Sequence, residues 1–223
     1  MTSERIASVV DRARVHAALG DPGRLAIVDM LSVGDHSPTE LRVALGMESN
    51  LLAHHLNVLE REHIVTRTRS EGDGRRSYIR LVPALTDQLA PVLLLSAQRV
   101  VFVCTANAAR SQLAQALWTE ASDVPAASAG THPADRVAPG AIDVASRHDL
   151  GLVSRAPRAV DEVVQADDLI VTVCDRAHEE YPGSVHWSVP DPMRVGTKKA
   201  FDAAYEELAD RVMRFAPRLQ ATA

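Results

Sequence analysis

Val100-Val-Phe-Val-Cys-Thr-Ala-Asn-Ala-Ala-Arg-Ser-Gln-Leu-Ala-Gln-Ala-Leu117 decides how this chain is read. The β-branched run up to Val103 is that of a buried strand, and Arg110-Ser111 opens a helical pattern. Between them lies a short loop with Cys104 at the strand end. A loop of this kind turns successive N–H groups of Thr105, Ala106, Asn107, Ala108, Ala109, Arg110 and Ser111 toward one centre, where the helix dipole adds its field. A tetrahedral oxyanion fits such a centre. The same field favours thiolate over thiol at Cys104, and Arg110 is placed to grip two oxygens bidentately. Ser111 is in reach to donate a hydrogen bond to the sulfur. Small residues at 106, 108 and 109 let the backbone curl closely.

Working outward, strands and helices alternate: a strand at 100–103, a helix at 110–121, a turn at Ser128-Ala-Gly-Thr-His-Pro133, helices at 138–149 and near 159–165, a strand at 168–173 and a helix at 198–219. The expectation is an α/β domain with a parallel sheet flanked by helices. The chain has 223 residues, room for two domains. Residues 83–98 read as a helix interrupted by Pro91, and the seam is placed at 97–99, giving domains 1–97 and 98–223. No run of 18 apolar residues occurs, and charges run through the N-terminus, so neither a membrane span nor a secretory signal is expected. A cytoplasmic protein is the expectation. Two cysteines are too few for a disulfide framework, and a net charge of −5 argues against binding nucleic acid by bulk charge.

The first half has a different pattern. From residue 4 to about 62 helical spacing recurs in four short segments, broken at 20–23, 33–38 and 46–49. The third begins with Ser37, Pro38 and Glu40, a capping box. After Ile64 the pattern alternates around Glu71-Gly-Asp-Gly74, with five arginines in and beside the hairpin. Helices, a helix-turn-helix and a basic hairpin make the order of a mainly α winged helix-turn-helix. The candidate recognition helix runs from Ser49 to about Glu62, with Leu52, Leu56 and Leu59 inward. Ser49, Asn50, Ala53, His54, His55 and Asn57 are its candidate DNA contacts, joined by Arg75 and Arg76 at the hairpin. Scattered histidines read as solvated or core residues, so no metal site is expected.

Ala18-Leu-Gly-Asp-Pro-Gly-Arg24 and Asn50 to Leu59 give this half a resemblance to the ArsR family of winged-helix repressors. The resemblance implies a double-stranded DNA operator and a homodimer formed through the N-terminal helices. Arsenite-sensing members carry cysteines in the helix before the turn, and here no cysteine precedes Cys104.

Residues 100–218 resemble the low-molecular-weight protein tyrosine phosphatases and the arsenate reductases related to them. Cys104 to Ser111, Ser128-Ala-Gly-Thr131, Val171-Thr-Val-Cys-Asp175 and Asp191-Pro192 carry the likeness. It implies Cys104 as nucleophile and Asp191 as general acid on either arsenate or a phosphate ester. A reductase also needs a second thiol, and Cys174 stands where reductases have one. Gln112 and His186-Trp187 are reductase-like as well. The third cysteine of relay-type reductases would fall at Tyr181, so turnover calls for an external thiol reductant: mycothiol, glutathione or thioredoxin. Ala106, where the family usually has glycine, adds a methyl to the loop. No bound cofactor is expected. Two other readings stay open: a tyrosine or arginine phosphatase fused to the DNA-binding domain, and a non-catalytic repressor that senses an oxyanion or redox state.

Overall fold

The computed structural model describes residues 3–82, 95–152 and 156–221. The chain divides into two compact units, Met1–Arg69 with Arg75–Pro91 and Ser70–Gly74 with Val92–Ala223. No helix among the described residues is long and apolar enough to cross a membrane.

The first unit opens with α1 (Ser3–Leu19), α2 (Pro22–Leu31), α3 (Pro38–Leu45) and α4 (Ser49–Arg61), followed by the antiparallel pair β1 (Val65–Arg69) and β2 (Ser77–Leu81). Two of these helix starts have a local cause. The Asp21 carboxylate accepts the Arg24 N–H at 3.0 Å with Pro22 in the first turn, and Ser37 and Glu40 close the expected capping box. Gly46, at φ 62°, ends α3 in a left-handed turn: its N–H reaches Val43 O while the Met47 N–H reaches Arg42 O. Ile27, Val28 and Leu41 meet Leu52, Leu56 and Leu59 of α4 in one apolar core with Ile64 and Ile79.

That core also claims His55, a correction to the sequence reading. Ser49, Asn50, Ala53, His54 and Asn57 are exposed on α4, as are Arg75 and Arg76, whereas His55 is only 6% exposed. It lies three residues after Leu52 and beside Leu56, so the helical period turns it inward. Its ring reaches Asp21, with Nδ1 3.6 Å from Oδ1. A Cβ at position 23 would come within 2.9 Å of its Nε2, so Gly23 leaves the space that His55 fills.

In the second unit β4 (Val100–Cys104) lies between β5 (Ala126–Gly130) and β6 (Leu169–Thr172), and β7 (Val185–His186) completes a four-stranded parallel sheet. The helices are α5 (Arg110–Ala121), α6 (Pro139–Arg147), α7 (Val160–Val163), α8 (Asp175–Glu180), α9 (Pro192–Val195) and α10 (Lys198–Phe215). All of β4 is buried. Phe102, Trp118, Trp187 and Phe215 join it to α5 and α10 through ring pairs 5.6 to 5.9 Å apart, an aromatic core with tilted and edge contacts. Below the sheet's other end Arg99 grips both oxygens of Asp168, at 2.8 and 2.5 Å, and ties β4 to the start of β6.

Three expectations change. Ala126-Ala-Ser-Ala-Gly130 is a strand where the sequence suggested only a turn at 128–133. Its side chains are poor strand formers, but their small size lets α5 lie close, with Ser128 donating to Gln115 Oε1 at 2.7 Å. Residues 95–97, expected in a helix, form β3 (Leu95–Ala97), which pairs in parallel with β8 (Leu219–Ala221). The strand pairs within the second unit, ahead of the seam expected at 97–99. The rest of the expected helix, 83–94, falls outside the described residues. The final helix stops at Phe215, where Pro217 in a 3-10 turn leads into β8.

Candidate active site

Cys104 is the last residue of β4, and α5 begins six residues later. The loop between them is shaped from outside. The carbonyls of Cys104, Thr105, Ala106 and Ala108 accept hydrogen bonds from the N–H groups of Thr131, His132, Ala134 and Ala138, at 2.8 to 3.1 Å. In a trans peptide the C=O and the following N–H point in opposite directions. Holding four carbonyls on the outer face therefore turns the N–H groups of Thr105, Ala106, Asn107 and Ala109 inward. The Asn107 N–H already reaches Cys104 Sγ, at 3.2 Å.

Asn107 makes the sharp turn. It is the loop's one residue at positive φ, 48°, a conformation that Asn tolerates better than most side chains. Its amide holds that geometry: Nδ2 donates to Ser111 Oγ at 2.8 Å, and Oδ1 accepts from the Arg158 N–H at 2.9 Å. Gln112 Nε2 donates to the Asn107 carbonyl at 3.1 Å. Ser111 Oγ lies 3.1 Å from Cys104 Sγ. Ala106, half-buried, is not at positive φ, so its backbone does not demand glycine.

Arg110, 7% exposed, donates from Nη1 to Val189 O at 2.9 Å and from Nη2 to Asp191 Oδ2 at 3.0 Å. Asp191 caps α9 through Oδ1, which accepts the Met193 N–H. Cys174 caps α8: its Sγ accepts from the Ala177 N–H at 3.4 Å and lies 3.3 Å from Thr105 Oγ1. Both cysteines are free and 2% exposed, and Cys104, Arg110, Cys174 and Asp191 line one pocket, of about 320 Å³. Burial pushes the Cys174 thiol above its ordinary value of 9.0, more than Arg110 and the Thr105 hydroxyl pull it down.

Two supports were not assigned a role from sequence. Gly130, at the end of β5, lies so close to the loop that a Cβ there would stand 2.8 Å from Thr105 O and 2.9 Å from Asn107 N. Behind Cys174, the buried Asp175 meets His186 Nε2 at 3.2 Å, while Thr172 Oγ1 lies 3.0 Å from Nδ1 of both His178 and His186, whose rings stack 4.1 Å apart. Burial works to raise the Asp175 carboxyl, but hydrogen bonds from His186 and Ser188 outweigh it and hold it below its usual value. Paired histidines at 178 and 186, both following the Val-Cys-Asp segment, were the available signal.

A strand-to-helix loop with inward amides, a cysteine at its floor and an arginine at its rim has the chemistry to hold an oxyanion beside a thiol. Residues 99–223 match the family described as low molecular weight phosphotyrosine protein phosphatase, and the chain belongs to that family. Residues 21–67 match the family of bacterial regulatory proteins of arsR type, so an ArsR winged helix-turn-helix is joined to the phosphatase-like domain in one chain. An arsenate reductase of Bacillus cereus is 29% identical over 126 residues, which cover 52% of this chain and 92% of the relative. The crystal structure of an arsenate reductase from Archaeoglobus fulgidus is 30% identical, with a TM-score of 0.46, covering 53% of this chain and 98% of its own. A homodimeric winged helix-turn-helix DNA-binding domain from Mycobacterium bovis, described as a possible ArsR-family regulator, is 26% identical with a TM-score of 0.36, covering 40% of this chain and 82% of its own.

The close approach of Gly130 makes it a test of the loop. Gly130→Ala is expected to push Thr105 and Asn107 out of register and weaken arsenate or vanadate binding by at least about ten-fold, roughly 1.4 kcal/mol, by titration calorimetry. Unchanged affinity would show that the loop does not depend on this contact.

Proposed function

We propose that the chain couples an ArsR-type DNA-binding regulator to an arsenate reductase that works through two thiols. The observation that carries the reading is the place of Cys174: its sulfur lies 3.3 Å from the hydroxyl of Thr105, the neighbour of Cys104, in one pocket. A phosphatase needs the first cysteine alone.

In this reading the inward amides and Arg110 bind arsenate, and the Cys104 thiolate attacks arsenic. Asp191, beside Arg110, gives its proton to the departing oxygen, which leaves as water. The Cys174 thiolate then attacks Cys104 Sγ. The sulfur–sulfur bond forms as the sulfur–arsenic bond breaks, its electron pair stays on arsenic, and arsenite departs. An external thiol returns the disulfide to two thiols. Support against an aryl ester comes from the pocket walls: none of the lining residues is aromatic, and Arg176 and Arg194 are among them.

A phosphatase is the second reading, favoured by the family itself and by the Arg110–Asp191 pair, which serves a phosphocysteine equally well. The two part at Cys174. Cys104→Ser is expected to abolish both arsenite formation and aryl phosphate hydrolysis, and Cys174→Ser to abolish arsenite formation alone. Arsenite produced by Cys174→Ser at the wild-type rate, with any thiol donor, would overturn the reductase reading.

The raised Cys174 thiol sets a pH dependence. Only the thiolate attacks, and its fraction grows with pH below the thiol's own pKa, which lies above 9.0. Single-turnover arsenite release, followed by rapid quench, is therefore expected to accelerate from pH 7 to pH 9 by up to about ten-fold per unit. A flat profile would remove Cys174 from the rate-limiting step.

For the first unit, we assign DNA reading to the exposed face of α4, Ser49, Asn50, Ala53, His54 and Asn57, with Arg75 and Arg76 on phosphates, in a homodimer within a reducing cytoplasm. Asn57→Ala is expected to cost about 1–3 kcal/mol of operator affinity, and Arg75→Ala to lower the salt slope by about one charge, both by fluorescence anisotropy. Equal affinity for operator and random DNA would sink the assignment.

A further inference from the structure

Resting on the two-thiol reading above, we propose that the electron donor is a low-molecular-weight thiol that enters the Cys104 pocket and attacks Cys174, not a protein dithiol that docks at the surface.

The whole chain contains two cysteines, and both are 2% exposed. A disulfide between them has no third thiol to carry it outward. Tyr181, seven positions after Cys174, is the half-buried cap of α8, with Pro182 next. Nor is Cys174 free to swing out. Its sulfur holds the first turn of α8 through the Ala177 N–H and faces Thr105, and Asp175 beside it is tied to His186. Bringing the disulfide out to a protein partner would break the Asp175–His186 contact that anchors the start of α8. Exchange requires the attacking thiolate to reach one sulfur in line with the sulfur–sulfur bond. Both sulfurs lie below the surface, so a partner's thiol would have to enter the same pocket. A small thiol needs only the pocket, whose 320 Å³ falls at the low end of small-molecule sites, roughly 300–1,000 Å³.

The geometry also chooses the sulfur. Cys104 is the better leaving group, because the Asn107 N–H and Ser111 hydroxyl receive its thiolate. The incoming thiolate bonds to Cys174 Sγ, and the disulfide breaks with its electron pair on Cys104 Sγ. A second small thiolate then attacks the outer sulfur of the mixed disulfide. Cys174 leaves as thiolate and takes a proton, and the small disulfide departs. Per turnover one arsenate and two thiols give one arsenite, one small disulfide and one water.

The test uses the full chain in two stages. Reduced protein mixed with arsenate alone should release one arsenite per chain and form the Cys104–Cys174 disulfide, read by mass spectrometry. No disulfide at this stage means that the two-thiol reading itself has failed, and the proposal falls with it. The oxidised protein is then given either glutathione or thioredoxin with its reductase and NADPH. Glutathione should restore both thiols at a rate first-order in thiol, through an adduct trapped on Cys174, and thioredoxin should be slower by at least about ten-fold. A disulfide cleared as fast by thioredoxin, cleared by neither donor, or trapped as an adduct on Cys104 would overturn the proposal with the two-thiol reading intact.

Discussion

Everything at the candidate site depends on four carbonyls facing the wrong way for a ligand. Cys104, Thr105, Ala106 and Ala108 give their oxygens to the segment 131–138, and peptide planarity leaves their partner N–H groups no direction but inward. An oxyanion site made of backbone dipoles costs little to reorganise, because those dipoles are already fixed by bonds on the far side of the loop. The segment 131–138 thus sets the direction of the loop's amides from outside, and Gly130 lets it come near enough.

Around that loop the side chains divide two tasks. Arg110 lies between the loop and Asp191, so the group proposed to bind charge also orients the group proposed to deliver a proton. Cys174 is set from the other direction, by the start of α8 and by the Asp175–His186 pair beneath it. The two sulfurs approach the same pocket from the carboxyl ends of adjacent strands, β4 and β6, which is where a parallel sheet gathers its chemistry. Their convergence follows from topology, although 70 positions separate them.

What could be read in the sequence was what local physics dictates. The run 100–121 announces itself through a β-branched strand and a helix whose bounds, Arg110 to Ala121, match the expectation. The α3 capping box needs only Ser37 and Glu40. Where pairing is distant, the sequence was silent. Ala126 to Gly130 has no strand-forming side chains and becomes β5 because β4 lies alongside; Leu95–Ala97 becomes a strand because residues more than 120 positions later meet it. His55 was misplaced for a related reason. Its polarity suggested the outer face of α4, but the helical period and the gap left by Gly23 put it against Asp21. The Thr172, His178, His186 and Asp175 cluster joins α8 to two strands; its residues lie within 172–186, but only the fold turns their side chains toward one another.

The loop's dependence on 130–138 bears on how such a site can be moved. Cys104 to Ser111 is eight residues, short enough to look portable, yet its shape is not stored within it. A host scaffold given those eight residues alone would supply a cysteine and an arginine without a cradle. The transplantable unit is discontinuous: the loop together with the glycine and the run of amide donors that grip its outer edge.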